Sequence, residues 1–407
     1  MRLHLFKKMI LEDYFFSVYN DEAIKSDINE AYLGFIVIKP LPNTIFGRTC
    51  LVTYESSEKR HYTCNVRYSV NLAGVKLTVE SVAFQEQDSI VAACATSALW
   101  SVFHVTCRSN NHYLPSPVEL TKSALENYPL KNRYFPNYGL NLEQMAQAIR
   151  KVNLDPLCIE PQNTAILKKA IYSYLQCGIP ILMGIEIRNI IDGGYIGLHA
   201  VSILGYSIGQ TESEFKSDAI EELYCHDDQV GCFVRMSFKG NDLAITCGWT
   251  IGGIEQEAKV TCLLIAQYNK LRIEYSTIYE YIYWLNNLFS KFKWGKLSWD
   301  TFIILSNDLK SKLLAENILP FQKKKEIMTT ELPKYVWQST LSINNKKRIR
   351  IIFDATGISQ DSLILTDIVY DEEFYNILRI LFKILKDQFP NFSVILQYLS
   401  EHFTDER

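Results

Sequence analysis

A cysteine, a histidine and a carboxylate occur in this chain in an order that suits nucleophilic acyl chemistry. Gln85-Glu86-Gln87-Asp88 leads to Ala93-Cys94-Ala95-Thr96, where an apolar helical pattern opens. His199 follows in Gly197-Leu198-His199-Ala200-Val201, and Cys225-His226-Asp227-Asp228 comes later still. In such a set a thiolate attacks a carbonyl carbon and an imidazole carries the proton. A carboxylate holds the ring, and an amide N–H binds the oxyanion. The candidates are Cys94 as nucleophile, His199 as base, Asp227 as orienter and Gln87 as oxyanion donor. Asp228 and Gln85 are the alternatives for the last two roles.

Each residue has a plainer reading beside this one. Cys94 is also a small apolar residue among Ala92, Ala93 and Ala95, and if Asp88 or Ser89 caps the helix it lies a full turn inside. At the helix N-terminus the thiolate would be favoured. His199 could be a hydrogen-bonded core residue, although flanking glycines let a substrate or a second backbone approach. Among the other histidines, His4 and His402 are terminal, His61 and His112 lie in polar segments, and His104 turns away from Cys94 along the helix. His226 is the rival base. In a regular strand His226 and Asp227 point to opposite faces, so they cannot both line one site unless a bulge intervenes. That alternation also argues against a metal at Cys225-His226-Asp227-Asp228. None of the ten cysteines forms a Cys-x-x-Cys pair, and neither metal nor cofactor is expected.

These residues need elements to hold them. Residues 1–81 read as a β-rich N-terminal extension, with strand texture at 33–39, 49–54, 66–70 and 75–83. From Ala93 the period becomes helical, with Ala95, Ala98, Leu99, Val102 and Phe103 on one pattern. Ser116-Pro117-Val118-Glu119 has the cap, the first-turn proline and the third-position glutamate of a helix start. Asn141 caps a helix over 142–152 that Asn153 and Pro156 stop. A helix at 164–175 precedes strands at 179–185, 198–206, 223–226 and 231–238. Helices first and sheet second is the order of segregated α+β architecture, here a domain over 82–250. Residues 251–407 read as an α+β C-terminal domain. It has an aromatic-rich helix at 278–292, a polar linker or exposed loop at 322–331, a strand pair around Asn344-Asn345, and a closing helix at 374–389. The basic run Lys346-Lys347-Arg348-Ile349-Arg350 reads as a charged strand edge.

Composition bounds the partners. The chain carries 42 basic and 45 acidic residues, so there is no electrostatic reason to expect nucleic acid or an anionic membrane. At 48% hydrophobic over 407 residues it can bury more than one core. Lys7 and Lys8 precede an apolar stretch that Glu12 and Asp13 interrupt, unlike a secretion signal. No run approaches the roughly 18 apolar residues of a membrane helix. A cytoplasmic protein with mostly reduced cysteines is expected.

The middle of the chain, over about 82–240, resembles papain-like cysteine peptidases. It is most similar to the bacteriocin-processing (double-glycine) branch and its uncharacterised bacterial relatives. The resemblance is carried by Gln87, by Cys94-Ala95-Thr96-Ser97-Ala98-Leu99-Trp100 and by Gly139-Leu140-Asn141-Leu142-Glu143-Gln144-Met145. It continues in Gly178-Ile179-Pro180-Ile181-Leu182, His199-Ala200-Val201-Ser202-Ile203-Leu204-Gly205-Tyr206 and Tyr224-Cys225-His226-Asp227. Relative to the family pattern the glutamine-to-cysteine gap is a residue or so longer, alanines flank the cysteine, and Asp228 stands where proline is common. The resemblance implies a papain-like core, a helical half plus an antiparallel sheet, with Cys94, His199, Asp227 and Gln87 in the roles above. It implies cleavage of a peptide or isopeptide bond in a protein or peptide substrate through a thioester. Deamidation or acyl transfer to an amine on the same site is an alternative, and so is a catalytically inactive interaction module. The flanking sections carry no such resemblance, and the C-terminal domain is a candidate surface for a protein partner.

Overall fold

The structure, a computed structural model, describes residues 1–8, 22–41, 45–54, 59–86, 94–126, 139–251, 253–357, 363–388 and 394–404. It is a mixed α and β architecture of helices and antiparallel sheets. The chain divides into two compact units. The first comprises Met1–Leu167, Gly178–Gly209 and Glu221–Tyr268; the second comprises Lys168–Cys177, Gln210–Ile220 and Asn269–Arg407. The strand Ile254–Tyr268 lies in the first unit and pairs with Ile181–Asn189, although the boundary read from the sequence fell before it, at 250.

A nine-stranded sheet dominates the first unit. Its path runs from Ile220–Asp227 through Gly231–Lys239, Ala244–Thr246, Ile254–Tyr268 and Ile181–Asn189 to Tyr195–Ile208. Tyr195–Ile208 also pairs with Ile220–Asp227, so the sheet returns on itself. The strand His199 occupies is therefore held on both sides. Its inner half, from His199 to Ser207, is continuously buried, as a strand covered on both faces must be.

Helix Cys94–Asn110 packs against that strand. Nearly every residue from Ala95 to Thr106 is buried, so the helix is an inner element with no solvent face. Ser101 satisfies its hydroxyl on the Ala83 carbonyl at 2.8 Å. Helices Pro117–Leu125 and Leu142–Lys151 follow. Both begin with complete capping boxes, Ser116 with Glu119 and Asn141 with Gln144, each cap contributing about 1 kcal/mol. A three-stranded sheet (Arg2–Phe6, Tyr32–Ile38, Phe46–Leu51) and the hairpin Val66–Leu72/Val75–Ser81 form the N-terminal β part of this unit.

The second unit has a four-stranded antiparallel sheet in sequence order: Leu297–Leu305, Tyr335–Ile343, Lys346–Asp354, Ile364–Val369. Asn344 and Asn345, at φ 50° and 63°, make the two-residue turn expected of that pair. The aromatic helix, Tyr275–Phe289, contributes Tyr279, Tyr281 and Phe289 to the core. Trp299 and Trp337 are fully buried, with their indole N–H groups donated to Asn286 and to the Ile273 carbonyl.

Three local expectations change. Leu154–Ile159 is a strand, which Pro156 disguised; among the described residues it pairs with Ile254–Tyr268 alone, and proline is tolerated at such an edge. The polar stretch 322–331 is not a linker, because Phe321–Thr329 is a helix. Its Gln, Lys, Glu and Met residues are good helix formers, and Ile327 anchors it. Lys346–Asp354 is an inner strand. Three of its four basic residues are in ion pairs, Lys347 and Arg350 with Glu316 and Arg348 with Asp371.

Candidate active site

Cys94, His199 and Asp227 all lie in the first unit. Cys94 is the first described residue of its helix and is partly exposed, whereas Cys50, Cys64 and Cys225 are buried. All ten cysteines are free. His199 is buried in the strand Tyr195–Ile208, opposite Ile185 in the register. Glycines make room nearby in two ways. An added Cβ at Gly197 would meet nothing within 4 Å, while one at Gly205 would lie 2.6 Å from the His61 carbonyl oxygen.

Asp227 ends the strand Ile220–Asp227 and is fully buried. His199 Nε2 lies 3.0 Å from Asp227 Oδ1. Oδ1 also accepts the Gln229 backbone N–H at 2.9 Å, and Oδ2 accepts the Trp249 indole N–H at 2.8 Å. Burial alone would raise the Asp227 carboxyl. The His199 hydrogen bond and charge, with Gln229 and Trp249, more than offset it and hold the group below its ordinary range.

The ring is drawn the other way. Burial would lower the His199 pKa, but hydrogen bonding and negative charge at Asp227 and Cys94 outweigh it and raise the imidazole to about 10. The helix that carries Cys94 packs against the strand that carries His199. No hydrogen bond of ordinary geometry reaches Nδ1, which is buried and without a partner. With Nε2 committed to Asp227, Nδ1 is the nitrogen left to face a thiol.

A bulge decides which neighbour of Asp227 serves. Cys225 pairs with Val234 and Asp227 with Gly231, so the ladder slips between them. Phe233, in the slip, takes φ 51°, a left-handed conformation that costs a bulky residue about 1–3 kcal/mol. Its N–H donates to His226 Nδ1 at 3.1 Å, and His226 Nε2 donates to the Val82 carbonyl at 3.0 Å. Both nitrogens are thus used in the neutral form, and burial pushes this histidine down to about 4. His226, the rival base, is a structural residue.

Asp228 is brought in as well, rather than left in a solvated turn. Its Oδ1 lies 3.6 Å from His199 Nε2. Burial pushes its carboxyl up to about 7, with Asp227 adding to the rise and His199 opposing it. Cys94, Gln85, Ser97 and Asp228 line one small pocket. Gln85 thus reaches the cysteine's surroundings, while Gln87, the preferred oxyanion donor, and the possible caps Asp88 and Ser89 lie outside the described residues. Among the described residues, the donor atoms of His199, Asp227 and Asp228 are the one group close enough to surround a cation, within 4.8 Å of one another. Hydrogen bonds within the protein take up Nε2 and both Asp227 oxygens.

Trp249 escaped the sequence reading. Its only sequence signal is an aromatic residue with a polar tip directly after a glycine, Gly248.

No known family model matches this chain, and no curated protein is significantly similar to it.

Proposed function

We propose that this chain is a cysteine hydrolase with a papain-like core over 82–250, acting on a peptide or isopeptide bond of a protein or peptide substrate. One observation carries the reading. A partly exposed thiol sits on a buried helix that packs against the histidine strand, and on that strand an imidazole is bonded through Nε2 to a carboxylate held by two further donors.

The chemistry follows from the proton positions. Cys94 Sγ, its proton already held on His199 Nδ1 in a thiolate–imidazolium pair, attacks the carbonyl carbon. Asp227 stabilises the imidazolium through Nε2–H. The tetrahedral intermediate collapses, the C–N bond breaks, and His199 returns the proton to the leaving amine. Water then attacks the thioester, His199 takes a proton from it, and the C–S bond breaks to release the acid and restore the thiol. Gln85 supports an amide donor near the oxyanion, since it shares the pocket with Cys94. An amine in place of water would make the same site an acyltransferase.

No helix among the described residues is long and apolar enough to cross a membrane. The setting proposed is cytoplasmic, where free thiols persist. Residues 269–407 of the second unit are proposed to choose the target or restrain the site, through contact with a protein partner.

The test is competition among ten thiols. Iodoacetamide at limiting dose, followed by peptide mapping, should modify Cys94 first, and His199→Ala should slow that modification by ~10²-fold or more. Modification of Cys94 no faster than of the other exposed cysteines, with His199→Ala without effect, ends the enzymatic reading.

A further inference from the structure

One N–H faces two carboxyl groups. His199 Nε2 lies 3.0 Å from Asp227 Oδ1 and 3.6 Å from Asp228 Oδ1. The hydrogen bond goes to Asp227, and the reason lies in the other partners. Asp227 has the Gln229 and Trp249 N–H groups to hold its charge. Asp228 has no hydrogen-bond partner at either oxygen, and its side chain is only 3% exposed. An ionised carboxylate in that position would be costly, so Asp228 is neutral while Asp227 is charged. Neighbouring like charges push the two groups apart in the same direction.

The groups facing Asp228 come from several elements. His199 stands on the adjacent strand and Asp227 on its own, while Cys94 and His226 line the same pocket. His226 is locked neutral by Val82 and Phe233. The imidazolium of His199 is then the one cation in reach of either carboxyl among these neighbours.

We propose that Asp228 is a positioning residue for the Cys94–His199 site: neutral, it leaves Nε2 to Asp227 and Nδ1 toward the thiol, and ionised, it competes for the same N–H and draws the ring away. This rests on the reading of Cys94 as nucleophile. Trp249 is the other half of the device, because it is one of the two donors that make Asp227 the better acceptor.

The experiment is the rate of Cys94 alkylation by iodoacetamide across roughly pH 5 to 9, the range that brackets the raised Asp228 carboxyl. It is run on the full chain for wild type, Asp228→Asn, Trp249→Phe and the double variant, with unfolding midpoints recorded alongside. The wild-type profile should show an inflection near neutrality that Asp228→Asn lacks. Trp249→Phe should lose about 10-fold in rate, and adding Asp228→Asn should restore most of it, which a structural defect would not allow. Should Asp228→Asn not fold, Asp228→Ser serves in its place. Superimposed profiles for wild type and Asp228→Asn, or a double variant as slow as Trp249→Phe, overturn the proposal while fast wild-type labelling leaves the nucleophile reading standing. A wild-type Cys94 no faster than the other thiols removes both.

Discussion

Trp249 donates its indole N–H to Asp227 Oδ2 at 2.8 Å, while Asp227 Oδ1 accepts from His199. The tryptophan fixes the second oxygen of the carboxylate behind the ring and adds to the charge stabilisation that His199 and Gln229 supply. Trp249→Phe keeps most of the buried aromatic area and removes one donor from a buried anion. The expected cost is about 1–3 kcal/mol of stability, read as a shift in urea midpoint at constant slope. A midpoint shift indistinguishable from that of a surface control would show the indole bond to be dispensable.

The His199–Asp227 pair gives stability a defined pH window. Asp227 is depressed in the folded state, so its contribution is present above the ordinary carboxylate range and is lost as pH falls through its lowered value. His199 is raised, so its contribution is complete below about 6.5 and fades as pH rises through about 10. The stability difference between wild type and Asp227→Ala should therefore be greatest between about pH 4 and 6.5, and should shrink on both sides. Urea titrations across that range read it directly. A difference that does not vary with pH contradicts the assigned charges.

Asp228 has the opposite sign. Its carboxyl is raised to about 7, so the unfolded chain ionises first and the fold weakens as pH rises from the carboxylate range toward 7. Asp228→Asn should be more stable than wild type at pH ~8 by up to a few kcal/mol, with little gain near pH ~3. Equal gains at both pH values would assign the effect to packing instead.

Gly205 sets how closely the segment at His61 can lie beside the histidine strand. A Cβ there would sit 2.6 Å from the His61 carbonyl oxygen, a backbone atom that cannot swing aside. Gly205→Ala should cost about 1–3 kcal/mol by overpacking, whereas Gly197→Ala, which faces open space, should not clash. Equal thermal midpoints for the two variants would show that the strands separate freely.

Much of this molecule is legible locally. Ser116 with Glu119 and Asn141 with Gln144 announce helix starts because the donors and acceptors of a cap lie within four residues. Asn344-Asn345 announces its turn because two left-handed residues suffice to make one. The order of Cys94, His199 and Asp227 was legible as chemistry, since few residue types serve as nucleophile, base and orienter.

What the sequence alone left open were choices between neighbours. Asp227 or Asp228, and His199 or His226, are separated by a slipped ladder at Phe233 and by donors from Val82, Gln229 and Trp249. Strand alternation read in isolation cannot show a bulge, because the extra residue is accommodated against a partner strand. The charge on each carboxyl is likewise a property of burial and of donors far along the chain. Residue type and local spacing determined which groups could react; only the tertiary structure decided which carboxylate is ionised and which imidazole is free, because desolvation and hydrogen bonding act through space.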